Sequence, residues 1–256
     1  MMTANNMDLT GQIALVTGAS RGIGAAIAEL LAQHGAHVLI SSRKIADCEQ
    51  VAAQLRHQGL KADAMACHIG DMDHIANLFA AIKEQYGRLD ILVNNAATNP
   101  YFGPILDTDL GAFQKTVDVN IRGYFLMSQQ AAKMMADQGG GAIVNVASVN
   151  GVNPGPLQGI YSISKAAVIA MTQAFAKECA GMGVRVNALL PGFTNTKFAS
   201  ALVNNPVIRE EALKHIPMQR IAEPNEMAGA VLYLVSPMAS YTTGVALNVD
   251  GGYLLG

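Results

Sequence analysis

Residues 17–24 read TGASRGIG; they follow directly on the apolar run QIALVT at 12–17 and open a stretch, 22–34, whose apolar residues recur with helical spacing. A strand that turns at once into a helix is where glycines in this arrangement have a chemical use. Gly18, Gly22 and Gly24 let the chain turn sharply and let a pyrophosphate approach the backbone with no Cβ in the way. The helix N-terminus adds free N–H groups and a partial positive charge, with Ser20, Arg21 and Ile23 filling the turn. The spacing, G-x3-G-x-G, departs from the ordinary G-x-G-x-x-G. A merely structural turn would account for the glycines but not for their place between a strand and a helix.

The same alternation continues outward from this turn. The run AHVLIS at 36–41 leads into a helical pattern at 44–58, 61–66 into 71–86, and LDILV at 89–93 into 108–136. AIVNVA at 142–147 then leads into 159–181, VRVNALL at 184–190 precedes a helix at 224–235, and a last short run stands at 245–249. Short, nearly all-apolar strands alternating with helices predict an α/β fold, a doubly wound parallel sheet of seven strands with helices on both faces. Seven strands use the whole length, so one domain over 1–256 is expected. The exception is 191–223, far longer than an ordinary connection of about 2–6 residues. It follows the carboxyl end of a strand, where such sheets bind ligands. Its apolar residues (Phe193, Phe198, Leu202, Val203, Val207, Ile208, Leu213, Ile216) fit a lid over a hydrophobic pocket.

Composition narrows the class. Charged residues are 14% of the 256, against about 25% in an average protein, and lysine plus arginine (17) fall short of aspartate plus glutamate (19). A net charge of −2 with mean hydropathy +0.25 excludes a disordered chain and leaves no basic excess for nucleic acid. No apolar run reaches the roughly 18 residues of a membrane helix, and MMTANNMDLTGQ has neither the basic nor the apolar region of a signal peptide, so a cytoplasmic protein is expected. Cys48, Cys67 and Cys179 form no C-x-x-C pair and the histidines no H-E-x-x-H, so neither a disulfide framework nor a metal site is expected.

Taken together, TGASRGIG, NNAA at 94–97, Asn120, Ser148, Tyr161-x3-Lys165 and PG at 191–192 resemble the short-chain dehydrogenase/reductase family over about residues 8–252. The resemblance implies a Rossmann fold and a nicotinamide-dependent oxidoreductase whose catalytic residues are Asn120, Ser148, Tyr161 and Lys165. Tyr161 and Lys165, four apart, share one helix face. An ammonium about 4 Å from a phenol would favour phenolate by roughly 4 kcal/mol at an effective dielectric of about 20, enough to bring a tyrosine toward neutral pH. Ser148 stands at a strand end, where its hydroxyl could hold a substrate oxygen. For Asn120 the resemblance implies a backbone kink that holds a water between the lysine and solvent. Lys165 would also hold the nicotinamide ribose.

Cofactor choice is read from charge. The second strand ends Ser41-Ser42-Arg43-Lys44 with no acid to take a ribose hydroxyl, and Arg21 lies in the glycine loop. Arg21 and Arg43 could clamp a 2′-phosphate, so NADP(H) is expected over NAD(H). His68 stands where many relatives have aspartate after the third strand; Ile69 follows it and would reach the adenine. Asn94, Ala96, Pro191, Gly192, Thr194 and Thr196 complete the expected cofactor contacts, Thr194 being a departure from the usual aliphatic residue. Substrate contacts are assigned to Ser148, Asn150 and Tyr161, with specificity shaped by Val149, Pro154, Leu157 and Tyr101.

The stretches 95–103, 67–70 (CHIG) and 239–244 look like the NADPH-dependent carbonyl and retinal reductases, which implies a small or medium hydrophobic carbonyl or alcohol substrate. Animal members often end in a peroxisomal tripeptide; Leu-Leu-Gly stands here instead. The ending I-P-x-x-R-x-x-E-P at 216–224 with VDGG at 249–252 is similar to the 3-oxoacyl-[acyl-carrier-protein] reductases, the alternative reading. A non-catalytic NADP-binding sensor or scaffold on this fold is the reading from another class. The family builds tetramers, and low charge fits buried faces at 108–136, 159–181 and 239–253, so a homotetramer is expected.

Overall fold

The computed structural model describes residues 7–198 and 206–255, with only the backbone course given for 206–208. Seven parallel strands form one sheet in the order β3-β2-β1-β4-β5-β6-β7: β1 (Ile13–Thr17), β2 (His37–Ser42), β3 (Ala62–Ala66), β4 (Ile91–Asn94), β5 (Gly141–Val146), β6 (Val184–Pro191) and β7 (Ala246–Val249). β1 pairs β2 on one side (Thr17 opposite Ser41) and β4 on the other (Val16 opposite Val93). The strand order therefore reverses beside β1, and the connections leaving its carboxyl end and that of β4 part to opposite faces. A crevice opens there, as in other doubly wound sheets.

Alternation along the strands feeds two cores. Ala14, Val16, Val38, Ile40, Val93 and Val144 point to one face, against α1 (Gly22–Gln33), α2 (Ile45–His57) and the last long helix, α8 (Pro224–Val235). Leu15, Leu39, Leu92, Ile143 and Val186 point to the other, against α3 (Met72–Tyr86), α5 (Tyr124–Asp137) and α6 (Gly159–Cys179). Capping defines where the helices start: the Asp71 carboxylate accepts from the N–H groups of Asp73 and His74, and Asp109 does the same for Ala112 at the start of α4 (Leu110–Thr116).

One expected element differs. The stretch 108–136 is not a single helix: α4 passes at Val117–Gly123 into a π-helical turn before α5 begins. A contact distant in sequence meets the chain at this turn. A Cβ on Gly123 would stand 2.4 Å from the Ile69 carbonyl oxygen, so the loop after β3 sits directly on the turn. The long connection after β6 is also more structured than a plain insert. Thr194 bridges to Ala222, a helix α7 (Pro206–Lys214) lies between them, and Ile216 is buried beneath Gly251. Of the apolar residues expected in a lid, Leu202 and Val203 lie outside the described residues.

Candidate active site

The crevice is a cavity of about 700 Å³ running from the glycine loop to the start of α6. Ser20, Arg21, Gly22 and Ile23 line its first end beside Gly18, whose φ of +64° and approach to Ala96 Cα (2.8 Å from an added Cβ) admit no side chain. The close approach is fixed by Asn95, whose Nδ2 donates to the carbonyls of Thr17 (2.9 Å) and Gly18 (3.2 Å). The Thr17 hydroxyl accepts from the N–H groups of Asn95 and Ala96. A bare backbone cradle at a helix N-terminus, opening into a cavity of this size, fits the pyrophosphate of a dinucleotide. Gly24 is not on the wall; it lets the first turn of α1 pack on the Gly18 carbonyl and Asn95.

Arg21, Ser42, Arg43 and Lys44 all reach the cavity, and Asp47 reaches it too, an acid that the charge reading of the sequence passed over. Cys67, His68 and Ile69 form the wall beyond, next to Val119 from the π turn. The His68 ring turns back on its own loop, where Nδ1 accepts from the Gly70 N–H at 3.0 Å. Asn94 is not brought to the cavity. Strand alternation points it into the sheet interior, where its Nδ2 donates to Ser128 Oγ and Asn145 Oδ1. Asn94 thus ties β4 to β5 and α5, and the asparagine side chain on the cavity is that of its neighbour Asn95.

At the other end β5 delivers Ser148, which accepts from the Asn150 N–H, and α6 delivers Tyr161 and Lys165 one turn apart. Lys165 is 1% exposed; its Nζ donates to the Val146 carbonyl at 2.7 Å and lies 5.1 Å from the Tyr124 ring and 5.6 Å from the Tyr161 ring. Burial lowers Lys165 to about 7, and burial raises Tyr161 to about 12 against a hydrogen bond from Ser148 that favours the phenolate. The i, i+4 spacing predicts a lysine that brings the phenol down; in the folded chain burial instead raises the phenol and lowers the ammonium.

Asn120, fully buried in the π turn, takes the Thr98 N–H on Oδ1 and donates to Thr98 O and Ser164 Oγ. The expected backbone kink is present, and the side chain pins the loop after β4 to α6. Pro191, Gly192, Phe193, Thr194, Thr196, Lys197 and Phe198 close the cavity from the β6 side. Thr194 is buried with its hydroxyl on the Gly192 carbonyl, while the Phe198 ring stands 5.9 Å from that of Tyr161. Val149 and Asn150 line the cavity; Tyr101, Pro154 and Leu157 do not reach its wall, Tyr101 being tied to the Pro104 carbonyl.

Residues 18–254 match a family model described as enoyl-(acyl carrier protein) reductase. Dehydrogenase/reductase SDR family member 4 of Oryctolagus cuniculus is 39% identical over 244 residues, 95% of this chain and 94% of that protein. The chain belongs to the short-chain dehydrogenase/reductase family. A 3-oxoacyl-[acyl-carrier-protein] reductase of Thermotoga maritima is 37% identical over 251 residues, 97% of this chain and all of that one. A gluconate 5-dehydrogenase from Burkholderia cenocepacia, solved with NADP and tartrate, superposes with a TM-score of 0.95 at 29% identity, covering 98% of both chains. A 7α-hydroxysteroid dehydrogenase solved with NADH and 7-oxo glycochenodeoxycholic acid gives 0.93 at 32% identity over 98% of both. As a member of this family the protein is an oxidoreductase acting on CH–OH and C=O groups of small molecules, and its cofactor class is a nicotinamide dinucleotide. Among the described residues no helix is long and apolar enough to cross a membrane.

Proposed function

We propose that this protein is a single-domain NADP(H)-dependent carbonyl reductase. The observation that carries the reading is the meeting of Ser148, Tyr161 and Lys165 in one cavity with the glycine loop. When bound, the nicotinamide supplies or accepts the hydride at C4. Tyr161 gives the substrate oxygen its proton in reduction and takes it back in oxidation. Ser148 Oγ holds that oxygen beside the phenol and steadies its developing charge. Lys165, with a pKa near 7, can pass a proton at neutral pH, and Asn120 holds the turn beside it. Gly18, Ser20, Arg21, Gly22, Ile23, Ser42, Arg43, Ile69, Ala96, Gly192 and Thr196 would hold the cofactor, and Arg21 and Arg43 would favour the 2′-phosphate form. Phe102, Phe193 and Phe198 give the substrate an apolar wall.

Tyr161→Phe is the test: turnover of NADPH with ketones should fall by about 10²–10⁴ while NADPH binding changes only a few-fold. A variant that keeps more than about a tenth of kcat removes the assigned role. The Thermotoga relative supports a second reading, 3-oxoacyl-[acyl-carrier-protein] reductase, which an acetoacetyl thioester tested against simple ketones separates from the first. Exposed apolar side chains on α4, α5 and α6 (Leu110, Phe113, Phe125, Ile163) support assembly into a homotetramer.

A further inference from the structure

The substrate end of the cavity carries more hydrogen-bonding capacity than reduction of a bare ketone uses. Asn99, Asn150 and Gln158 line the cavity, Asn150 two residues after Ser148 and Gln158 three before Tyr161. Asn99 Oδ1 is buried with no partner among the described residues. The side-chain amides of Asn150 and Gln158 likewise have no hydrogen bond within the described part of the chain. They sit together: a Cβ on Gly155 would lie 3.1 Å from Asn150 Nδ2 and 3.0 Å from Gln158 Nε2. Asn99 is held beside α6, because its neighbour Thr98 is bonded on both backbone groups to Asn120.

The chain accepts a strained backbone to place one of these amides. Leu157 has φ +61°, a left-handed conformation that a leucine rarely adopts. It is kept there by the strap after β4: the Gly103 N–H donates to the Leu157 carbonyl, and Gly103 bridges to Gln158. The strain sits at the residue that launches Gln158 into the first turn of α6, three residues ahead of Tyr161.

We infer that the substrate carries hydroxyl groups next to its carbonyl carbon, as a hydroxyketone or, in the reverse direction, a polyol. This rests on the carbonyl-reductase reading above. The chemistry selects the hydroxyl. A buried amide oxygen needs a donor and an amide NH₂ needs an acceptor, and either end can face the ligand when the amide turns over. A carboxylate answers only the second and an ammonium only the first. A hydroxyl answers both. Phe102, Phe193 and Phe198 add apolar surface to the same cavity for a carbon chain.

The test uses matched ketones differing only in hydroxyls, butan-2-one against 1-hydroxybutan-2-one and erythrulose, with NADPH and the full chain. The hydroxylated members should have kcat/KM at least about 100-fold higher, since a site built to bond a hydroxyl rejects the analogue lacking it. Asn99→Leu and Gln158→Met should each cut that ratio about tenfold, the size of one lost hydrogen bond, with NADPH binding as the check on folding. Equal kcat/KM for the hydroxylated and bare ketones, or an unchanged ratio in both variants, overturns the inference and leaves the reductase reading standing. No turnover of any ketone with NADPH or NADH overturns the reductase reading itself.

Discussion

Lys165→Met separates what this residue costs the fold from what it gives the reaction. The side chain is 1% exposed and its ammonium is answered by one backbone carbonyl, Val146 O at 2.7 Å. An ordinary lysine near 10.5 that falls to about 7 on folding loses about 5 kcal/mol of stability at pH 6, at 1.36 kcal/mol per pKa unit. Methionine fills the space without a charge, and the Val146 oxygen keeps its hydrogen bond from the Tyr124 hydroxyl at 3.2 Å, so the change loses one hydrogen bond, about 0.5–1.5 kcal/mol. The variant should therefore be about 4 kcal/mol more stable than wild type at pH 6. The sign with pH follows from proton counts. Between pH 7 and 10.5 the unfolded chain holds this proton and the folded chain does not, so wild-type stability rises with pH there and is flat below. From pH 6 to 9 wild type should gain about 3 kcal/mol relative to the variant. The chain has no tryptophan, so urea unfolding is followed by circular dichroism, at fixed protein concentration and without added nucleotide. Parallel stability curves for the two proteins over pH 6–9 would show that Lys165 is not held as a desolvated cation. Turnover should be lost in the variant at every pH.

Two further changes probe the cofactor end. Arg43→Glu should lower kcat/KM with NADPH by at least about tenfold and lower that with NADH much less, since it replaces a charge-assisted bond to phosphate with repulsion; equal losses with both cofactors would remove Arg43 from the 2′-phosphate. Gly18→Ala places a Cβ 2.8 Å from Ala96 Cα at a left-handed φ of +64°, so it should destabilise the protein by about 1–3 kcal/mol and weaken NADPH binding. Calorimetry and a fluorescence titration check the two effects, and an unchanged Tm and Kd together would contradict the close approach of the loop to β4.

Strand runs such as QIALVT and the helical spacing that follows them were enough to read a seven-stranded parallel sheet, because both periods are local properties of the chain; the strand order and its reversal beside β1 come from pairing between distant segments. The Tyr161 and Lys165 pairing was legible for the same reason: four residues on a helix is a distance. Their protonation was not legible. Spacing says how near an ammonium is to a phenol, but only the packed fold says that Nζ turns to Val146 and that water is excluded from both. Asn94 and Asn95 show the limit at one-residue resolution. The motif NNAA marks the place, yet which asparagine faces the cavity depends on where β4 ends, and the side that each residue faces alternates from one to the next.

The π turn at Val117–Gly123 is the part that no local period could disclose, and it joins the two ends of the site. Apolar spacing over 108–136 suits a continuous helix; where the π turn interrupts it, the Ile69 carbonyl from another strand's loop lies against Gly123. Through Val119 the turn forms the wall beside His68 and Ile69, and through Asn120 it grips Thr98 and Ser164. Ser164 precedes Lys165 on α6, and Thr98 precedes Asn99, whose buried oxygen awaits a donor. One amide thus sets the position of the helix that carries the acid–base pair and of the loop that carries a substrate-facing amide. A side chain so bonded has no freedom left to contact a ligand itself. Its contribution to the chemistry is to fix the distance between groups that belong to β4 and α6, which the π turn has brought within its reach.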